Sequence, residues 1–484
     1  MKLRSLVRSL PDLEIPLEIK GAKDIEISGL SIDSRSTSPG HLFIAKKGMV
    51  HDGSTFIEKA LQAGAVATLS DLYDPFFTTT QLIHPDPSSL IALLASRFYR
   101  KPSRELLVFG VTGTKGKTTT TYLAKQLLDA INLPSGLIGT VETVAGDFCF
   151  SSTLTTHDPI FNQKWLREMV SRGCKAACLE VSSHGLMQHR VEEIDFDAAL
   201  FTNLYSDHLD YHKTMDDYAG AKRKLFEMLE KSPKKRKRAL FNSDSPWSAW
   251  MQEGITGKIP SWTFGIDQPA DIRATDCVFS AQGVEFLVHF QGEKVLFKIP
   301  LIGKFNVYNA LGAIGLALHT GASLEQLQAA ALHLRGAPGR LERAAPQVFV
   351  DFAHTGESLA HALSTLKDMT QKKLWVVFGC GGDRDPNRRI QMAKAAERYA
   401  DRIVVTSDNP RSESPEEICR QILSGFEERE RVYVELDRKA AITYAVSLLQ
   451  EGDLLLVAGK GHEKVQIFAR HTVPFDDVAI VQQV

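Results

Sequence analysis

The chain has 484 residues, of which 43% are hydrophobic, and its 57 basic and 58 acidic residues leave a formal net charge of -1. A typical domain has about 100–200 residues, so this length predicts about three domains. The composition excludes a disordered chain, which needs low hydrophobicity and a strong net charge. It also excludes a polyanion binder that acts through bulk positive charge, so any anionic ligand must be held by local groups.

The cysteines and the apolar runs indicate the cellular compartment of the protein. Six cysteines are spread thinly and form no C-x-x-C pair, which favours free thiols in a reducing compartment. No secretory signal is recognisable, and no apolar run approaches the ~18–20 residues that span a bilayer. The basic run 231–238 contains a proline and no aromatic residue, which favours a solvated loop over a nucleic-acid patch. We expect a cytoplasmic protein that neither inserts into a membrane nor binds nucleic acid.

The first hundred residues predict a short strand over 42–45 and helices over 55–63 and 89–99. The compact apolar run 106–111 predicts a buried parallel strand, followed by a Gly/Thr-rich turn and a helix over 117–131. Further strands are predicted at 176–181, 198–202 and 239–242. After the turn at 336–339, strands are predicted at 348–352, 374–378, 403–406 and 454–458.

This alternation predicts an α/β fold of three domains, covering residues 1–104, 105–336 and 337–484. The central domain should carry a parallel or mixed sheet with a phosphate loop. The C-terminal domain should be a Rossmann-like, doubly wound sheet.

The segment T-G-T-K-G-K-T at 112–118 lies between a predicted strand and a predicted helix, which is the context of a phosphate-binding loop. Backbone N–H groups and the helix N-terminus favour phosphate there, a lysine reaches the terminal phosphates, and a hydroxyl can ligate Mg²⁺. The match is imperfect because Val111 stands where the first glycine of the usual pattern belongs. The candidate nucleotide-binding residues are Gly113, Thr114, Lys115, Gly116, Lys117, Thr118 and Thr119.

Polar residues follow the next two predicted strands. Glu180 closes the strand at 176–181, and His208 follows the strand at 198–202. Ligands gather at the carboxyl ends of strands in open α/β sheets, so both side chains could face the phosphate loop. A carboxylate suits Mg²⁺ and an imidazole is an acceptable second ligand, although the spacing also fits ordinary polar residues near a cleft.

Four segments together resemble the Mur ligase family: T-G-T-K-G-K-T, E-V-S-S-H-G-L at 180–186, T-N-L-Y-S-D-H-L-D-Y-H at 202–212 and Y-A-G-A-K-R-K-L-F at 218–226. Members join amino acids to a UDP-linked muramic acid precursor of peptidoglycan. The resemblance implies ATP as co-substrate and two Mg²⁺ ions, with Thr118, Glu180, His208 and Lys222 as metal ligands and Lys117 among the catalytic residues. It also implies that Lys222 carries a carbamate derived from CO2, which converts a cation into an anionic ligand. By spacing alone, Lys222 would be a surface lysine in a basic helix.

The resemblance extends over most of the chain. It implies that the nucleotide-sugar substrate contacts Ser34, Thr155, Thr156, Ser182, Gln188 and Arg190, and that ATP also contacts Asn309, Arg340 and Asp351. His51-Asp52-Gly53 matches a further family segment. Departures are Leu154 where the family often has Asn, Phe352 for a common Tyr, and Gly356-Glu357 for the usual Pro-Asp.

Three loops follow strands of the C-terminal part, at 378–385, 408–411 and 459–463. Asp408-Asn409-Pro410-Arg411 resembles the motif of family members that add meso-diaminopimelate, whose second carboxylate a guanidinium can hold with two hydrogen bonds. Lysine would leave that buried arginine unpaired. The implied amino-acid-binding residues are Arg384, Asp408, Asn409, Pro410, Arg411, Gly459 and Glu463.

The resemblance implies a monomeric ATP-dependent amide ligase. It phosphorylates the D-Glu γ-carboxylate of UDP-MurNAc-L-Ala-D-Glu, and an amine of meso-diaminopimelate then attacks the acyl phosphate. The third domain is expected to close over the ATP site. The alternatives are a Mur ligase that adds L-lysine, a folylpolyglutamate synthase-like ligase, and a non-catalytic nucleotide-binding protein. The 408–411 motif and the N-terminal segment argue against the second, and the intact Lys117, Glu180 and Lys222 against the third.

Overall fold

A computed structural model describes residues 1–11, 13–47, 52–255, 257–280 and 282–484 of the protein. Residues 1–273 and 308–327 form one unit, and residues 274–307 and 328–484 form a second. The domain boundaries predicted after residues 104 and 336 stay predictions.

The first unit begins with a five-stranded sheet in the order β1-β5-β4-β3-β2. Its strands are β1 (Glu18–Lys20), β2 (Gly29–Ser31), β3 (His41–Ile44), β4 (Ala67–Ser70) and β5 (Thr80–Ile83), and its helices are α1 (Leu3–Arg8), α2 (Ile57–Gln62) and α3 (Ile91–Phe98). All neighbours are parallel except β1, which pairs antiparallel with β5. Leu42, Leu69 and Leu82 are fully buried between the helices and the sheet, because apolar strands need cover on both faces.

The remainder of the first unit is built on a larger sheet with β6 near its centre. Its elements are β6 (Leu107–Thr112), α4 (Lys117–Ala130), β7 (Ser135–Ile138), β8 (Glu142–Ala145), β9 (Phe148–Ser151), α5 (Pro159–Ser171), β10 (Ala176–Glu180), α6 (Ser183–Met187), β11 (Ala198–Phe201), α7 (Leu209–His212), α8 (Met215–Lys231), β12 (Arg238–Asn242), α9 (Ser248–Gln252) and β13 (Ser261–Gly265).

Strand β6 pairs in parallel with β10 on one side and β11 on the other. The carboxyl ends of these three strands therefore lie side by side, and the loops that follow them can meet. Strands β8 and β9 form an antiparallel extension that the sequence did not predict.

Three strands and two helices follow around the boundary of the units: β14 (Ile272–Ser280), β15 (Gly283–Phe290), β16 (Glu293–Ile299), α10 (Lys304–His319) and α11 (Leu324–Ala331). Strands β15 and β16 form an antiparallel pair within the second unit.

The rest of the second unit is a six-stranded sheet in the order β17-β18-β22-β19-β20-β21, with a small hairpin of β23 and β24. Its elements are β17 (Glu342–Ala345), β18 (Val348–Asp351), α12 (Gly356–Lys367), β19 (Leu374–Phe378), α13 (Asn387–Tyr399), β20 (Arg402–Val405), α14 (Pro415–Leu423), β21 (Val432–Val434), α15 (Arg438–Ser447), β22 (Leu454–Ala458), β23 (Val465–Ile467), β24 (Thr472–Pro474) and α16 (Asp477–Val481). All neighbours in the larger sheet are parallel except β17 and β18.

The predicted α/β fold is confirmed, and each predicted strand is present with ends displaced by at most one residue. The basic run lies between α8 and β12, as predicted. Lys234 pairs with the buried Asp197 at 2.8 Å, and Lys237 donates to the carbonyls of Glu230 and Ser232. These two lysines of the run therefore form contacts within the protein. In the described part of the chain, no helix is both long enough and apolar enough to cross a bilayer.

Candidate active site

The phosphate loop connects β6 to α4 and packs against the residues that follow β11. Gly113 and Gly116 have φ values of 146° and 88°, a region that favours glycine. A Cβ atom at Gly113 would collide with the Thr202 hydroxyl, and one at Gly116 would collide with the Asn309 side chain. Lys115 N donates to the side-chain oxygen of Asn203 at 2.9 Å, which holds the loop against this segment.

Two lysines meet at one carbonyl of this loop. Lys117 Nζ donates to the carbonyls of Gly113 and Thr114, both at 2.9 Å, and Lys222 Nζ donates to the Gly113 carbonyl at 2.8 Å. Lys222 is on α8, but it is only 1% exposed and lies 4.4 Å from the ring centroid of Tyr218. Burial, and after it the charge of Lys117, lowers the pKa of Lys222 well below the usual lysine value. The structure therefore excludes the surface-lysine interpretation and favours a neutral, nucleophilic amine.

Glu180, at the end of β10, lies beside the helix that follows the phosphate loop. Its Oε2 accepts hydrogen bonds from Thr118 Oγ1 at 2.8 Å and Thr140 Oγ1 at 3.0 Å, and Oε1 accepts from Thr140 N at 2.7 Å. The side chain is buried. A hydroxyl and a buried carboxylate in contact are suitable oxygen ligands for Mg²⁺, so Thr118 and Glu180 fit the predicted metal.

His208 is the N-cap residue of the short helix α7 and has a φ of 53°. Its ring lies 4.8 Å from that of His184 and 6.1 Å from that of Tyr218, and its side chain is about half exposed. Among the described residues, no three His, Cys, Asp or Glu side chains gather as a metal-binding group. Thr118 thus contacts Glu180, and Lys222 contacts the phosphate loop. His208 instead lies beside the rings of His184 and Tyr218.

Five residues predicted to bind the nucleotide-sugar substrate lie in one hydrogen-bonded network beside Glu180. Thr156 Oγ1 donates to the Glu180 carbonyl at 2.9 Å and contacts Ser182 Oγ at 3.0 Å. Arg190 donates to the Thr156 carbonyl at 2.6 Å and to the side-chain oxygen of Gln188 at 2.7 Å. The fifth member, Thr155, contacts Thr140 Oγ1 through its own hydroxyl at 3.0 Å. Their separation in sequence hides this proximity, which arises because β10 ends beside the loop that precedes α5.

The remaining predicted nucleotide contacts lie in several places. Ser34 opens a short 3-10 helix that the side chain of Asp33 caps, and His51 lies outside the described residues. Thr120 Oγ1 donates to the Asn309 side-chain oxygen at 3.3 Å, so Asn309 is next to the phosphate loop. In the second unit, the Arg340 guanidinium is 5.1 Å from the ring centroid of Phe352, and the Leu341 N–H donates to the partly buried Asp351 at 2.7 Å.

The second unit contains a cavity of about 150 Å³ at the carboxyl ends of its strands. Six of the predicted amino-acid-binding residues line it: Arg384, Asp408, Asn409, Arg411, Gly459 and Glu463. Pro410 is not among the lining residues. The sequence did not predict that Phe352, His354, Cys380, Asp385, Arg388 and Arg389 also line the cavity. Arg388 and Arg389 lie in the first turn of α13, where the sequence pattern indicates a helix but gives no sign of a binding site.

The lining residues differ in charge. Arg411 has a φ of 53° and donates from Nη1 to the Gly382 carbonyl at 2.7 Å. Asn409 Nδ2 donates to Glu463 Oε2 at 2.8 Å, and burial raises the pKa of the neighbouring Asp408. The cavity thus offers guanidinium groups for carboxylates and carboxylate groups for an ammonium, which suits a zwitterion.

Comparison with known proteins identifies the family. Three models match: the Mur ligase family catalytic domain over residues 26–99, the Mur ligase middle domain over 111–317, and the Mur ligase glutamate ligase domain over 339–461. The protein named UDP-N-acetylmuramoyl-L-alanyl-D-glutamate--2,6-diaminopimelate ligase of Chlamydia caviae is 44% identical over 95% of both chains. The chain belongs to the Mur ligase family.

Two further relatives of this Mur ligase have the same name. The protein of Caldanaerobacter subterraneus is 40% identical over 96% of both chains. A solved structure with that name is 32% identical, with a TM-score of 0.70 over 96% of both chains. The predicted family is therefore confirmed, and with it the class of ATP-dependent ligases.

Proposed function

We propose that this Mur ligase adds meso-diaminopimelate to the D-Glu γ-carboxylate of UDP-MurNAc-L-Ala-D-Glu, with ATP as co-substrate, in peptidoglycan precursor synthesis. The observation that carries the proposal is the charged cavity that Asp408, Asn409, Arg411 and Glu463 line together. Meso-diaminopimelate has two amino acid ends, and a site that rejects lysine needs a group that pairs with the additional carboxylate. Arg411 is our candidate for this group.

The reaction forms an amide at the expense of ATP. The γ-carboxylate attacks the terminal phosphorus of ATP, which yields an acyl phosphate and ADP. The neutral amine of diaminopimelate then attacks the acyl carbon, phosphate leaves with the bonding electron pair, and the nitrogen loses a proton. Lys117 and the phosphate-loop N–H groups would stabilise the charge on the transferred phosphoryl group. Thr118 and Glu180 would hold Mg²⁺, which neutralises phosphate charge when bound, and His208 and Lys222 are the other proposed ligands.

Lys222 is the proposed site of carbamylation. Its buried position favours the neutral amine, whose lone pair can attack CO2 as one proton leaves the nitrogen. The product is an anion next to Lys117, so the carbamate gains an electrostatic attraction that the neutral amine lacks. The network of Thr155, Thr156 and Ser182 is the proposed contact with the muramoyl dipeptide, along with Gln188 and Arg190. Ser34 is the proposed uridine contact, and Asn309, Arg340 and Asp351 are the proposed further ATP contacts.

This assignment implies three functional regions, which bind the nucleotide sugar, ATP and the amino acid, as the predicted domains do. The test measures phosphate release from ATP with the UDP-muramoyl dipeptide and either meso-diaminopimelate or L-lysine. Turnover should require the nucleotide sugar and meso-diaminopimelate. Equal turnover with L-lysine would refute the role of Arg411, and turnover without the nucleotide sugar would favour a folylpolyglutamate synthase-like activity.

Arg411→Ala sharpens the test. A bidentate, charge-assisted contact contributes about 1.5–3 kcal/mol, so the KM for meso-diaminopimelate should rise about 10- to 150-fold and the preference over L-lysine should fall. Arg420→Ala is the matched control, because Arg420 is an exposed arginine on α14 that pairs only with Glu417 in the described part of the chain. Equal effects of both variants would contradict the assignment.

A further inference from the structure

Lys460 lies beneath the predicted amino-acid-binding residues and has no role assigned above. Its side chain is 0% exposed. Its Nζ donates to Asn409 Oδ1 at 2.9 Å and to Glu463 Oε2 at 3.2 Å, and it lies 3.8 Å from Asp408 Oδ1. Three lining residues of the cavity therefore converge on one buried ammonium group.

The two glycines that flank Lys460 allow this approach. Gly459 and Gly461 have φ values of 113° and 53°. A Cβ atom at Gly459 would collide with the Asp408 carboxylate, and one at Gly461 would lie 2.7–2.8 Å from Phe352. The G-K-G sequence is thus required for the loop to bring its lysine against Asp408.

The ammonium determines how its neighbours are oriented. Asn409 Oδ1 accepts from both Lys460 Nζ and the Ile467 N–H, the latter at 3.0 Å. An ammonium can only donate, so the Asn409 oxygen must face Lys460 and its NH2 group must face Glu463. Glu463 Oε2 then accepts from both Asn409 and Lys460, while Oε1 accepts from no described residue.

We propose that Lys460 is a positioning residue for amino-acid binding, which orients Asn409 and Glu463 and keeps a compensating charge beside Asp408, so that these carboxylates can accept the substrate ammonium. The proposal rests on the function proposed above and names a group that never touches the substrate. Two carboxylates that face one cavity would otherwise repel each other, which favours protonation of one of them. Protonation would relieve the repulsion, but the protonated group would no longer be an anionic acceptor for the substrate ammonium.

The charged groups around Asp408 support this role. They are Arg438, Lys460, Glu463 and Asp477. The Cys380 thiol is also close, because its pKa is raised by burial and, after that, by the charge of Asp408. Burial raises the pKa of Asp408, and Arg438 and Lys460 oppose the shift. Arg438 is held by Asp477 through contacts of 2.8 and 2.7 Å. The charge of Arg438 also acts on both carboxylates, but Lys460 is the cation that donates to Glu463 at 3.2 Å and lies 3.8 Å from Asp408.

The experiment compares Lys460→Met with Lys460→Arg in the full chain, using phosphate release at varied concentrations of each substrate. In Lys460→Met, the KM for meso-diaminopimelate should rise at least tenfold, whereas the KM for ATP and for the nucleotide sugar should change less than twofold. The acidic limb of kcat/KM for the amino acid should move to higher pH, because one of the two charges that oppose the raised Asp408 pKa is lost while that of Arg438 stays. Lys460→Arg should keep the wild-type acidic limb.

Lys464→Met is the matched control, since Lys464 is exposed in the same loop region and pairs with Asp476. It should leave every KM unchanged. A wild-type enzyme without activity toward meso-diaminopimelate would refute the proposed function, whereas an active wild type with an unchanged KM in Lys460→Met would refute only the role of Lys460. Lys460→Gln replaces Lys460→Met if the latter does not fold. Failure of both to fold, with normal binding by Lys460→Arg, would assign the ammonium to folding and overturn the proposal.

Discussion

The buried ion pair between Arg438 and Asp477 is expected to make the stability of the second unit sensitive to the loss of either partner alone. Both side chains are 0% exposed. Arg438 donates from Nε and Nη2 to the two carboxylate oxygens at 2.8 and 2.7 Å, and from Nη2 to the Ala458 carbonyl at 3.0 Å. The pair joins the start of α15 to the start of α16 and supports the end of β22, where the loop of Gly459 and Lys460 begins.

Removal of either partner leaves a buried, uncompensated charge. Two charge-assisted hydrogen bonds contribute about 1.5–3 kcal/mol each, and the loss of one partner of a buried pair costs about 3–5 kcal/mol. Arg438→Met and Asp477→Leu should each lower the local free energy of unfolding by about 3–5 kcal/mol. The double variant should lose less than either single variant, because it leaves no charge behind. The double variant still lacks the hydrogen bond from Arg438 to the Ala458 carbonyl, which costs about 1 kcal/mol.

Native-state hydrogen exchange on peptides that cover β22 and α15 suits a chain of two units, because global unfolding need not be two-state. Lys464→Met, which removes an exposed pair, should change the same free energies by less than about 1 kcal/mol. The reasoning fails if the single variants stay within about 1 kcal/mol of the wild type, or if the double variant loses the sum of both.

Three further predictions concern the first unit. Glu180→Gln removes the carboxylate that contacts Thr118. In a metal titration of phosphate release, the Mg²⁺ concentration for half-maximal activation should therefore rise about 10- to 100-fold. An unchanged titration would contradict the metal assignment. Lys222→Met should stabilise the CO2-free protein in urea unfolding at pH 7. Because the pKa of Lys222 is lowered by folding, the unfolded chain binds more protons, so the stability of the wild type rises with pH and the advantage of the variant shrinks as the pH approaches 10.5, the ordinary pKa of lysine. Bicarbonate should stabilise the wild type alone, and an equal response of both proteins would exclude carbamylation. Arg190→Lys loses the paired contacts to Gln188 and Thr156, so the KM for the nucleotide sugar should rise about tenfold while that for the amino acid stays constant; a parallel rise would indicate general distortion.

Local patterns explain why much of the fold was predictable. Buried parallel strands such as β6, β10 and β22 are short apolar runs followed by turn residues, and their sequence alone determines their position to within one residue. The antiparallel strands β8, β9, β15 and β16 are not predicted, and neither are the parallel strands β4, β5, β7 and β13, because these runs are short or interrupted by polar residues.

By itself, the sequence determined the phosphate loop, the carboxyl-end positions of Glu180 and Asp408, and the resemblance to the Mur ligases. These depend on residue types within a few positions of one another, which motifs record. The tertiary structure alone decided that Lys222 is buried against Gly113, although its basic neighbours suggest a surface residue. It also decided that Thr156 and Arg190 form one network, and that Lys460 is a buried cation. Burial and proximity depend on which strands pair and which helices cover them, and those are contacts between residues far apart in the chain.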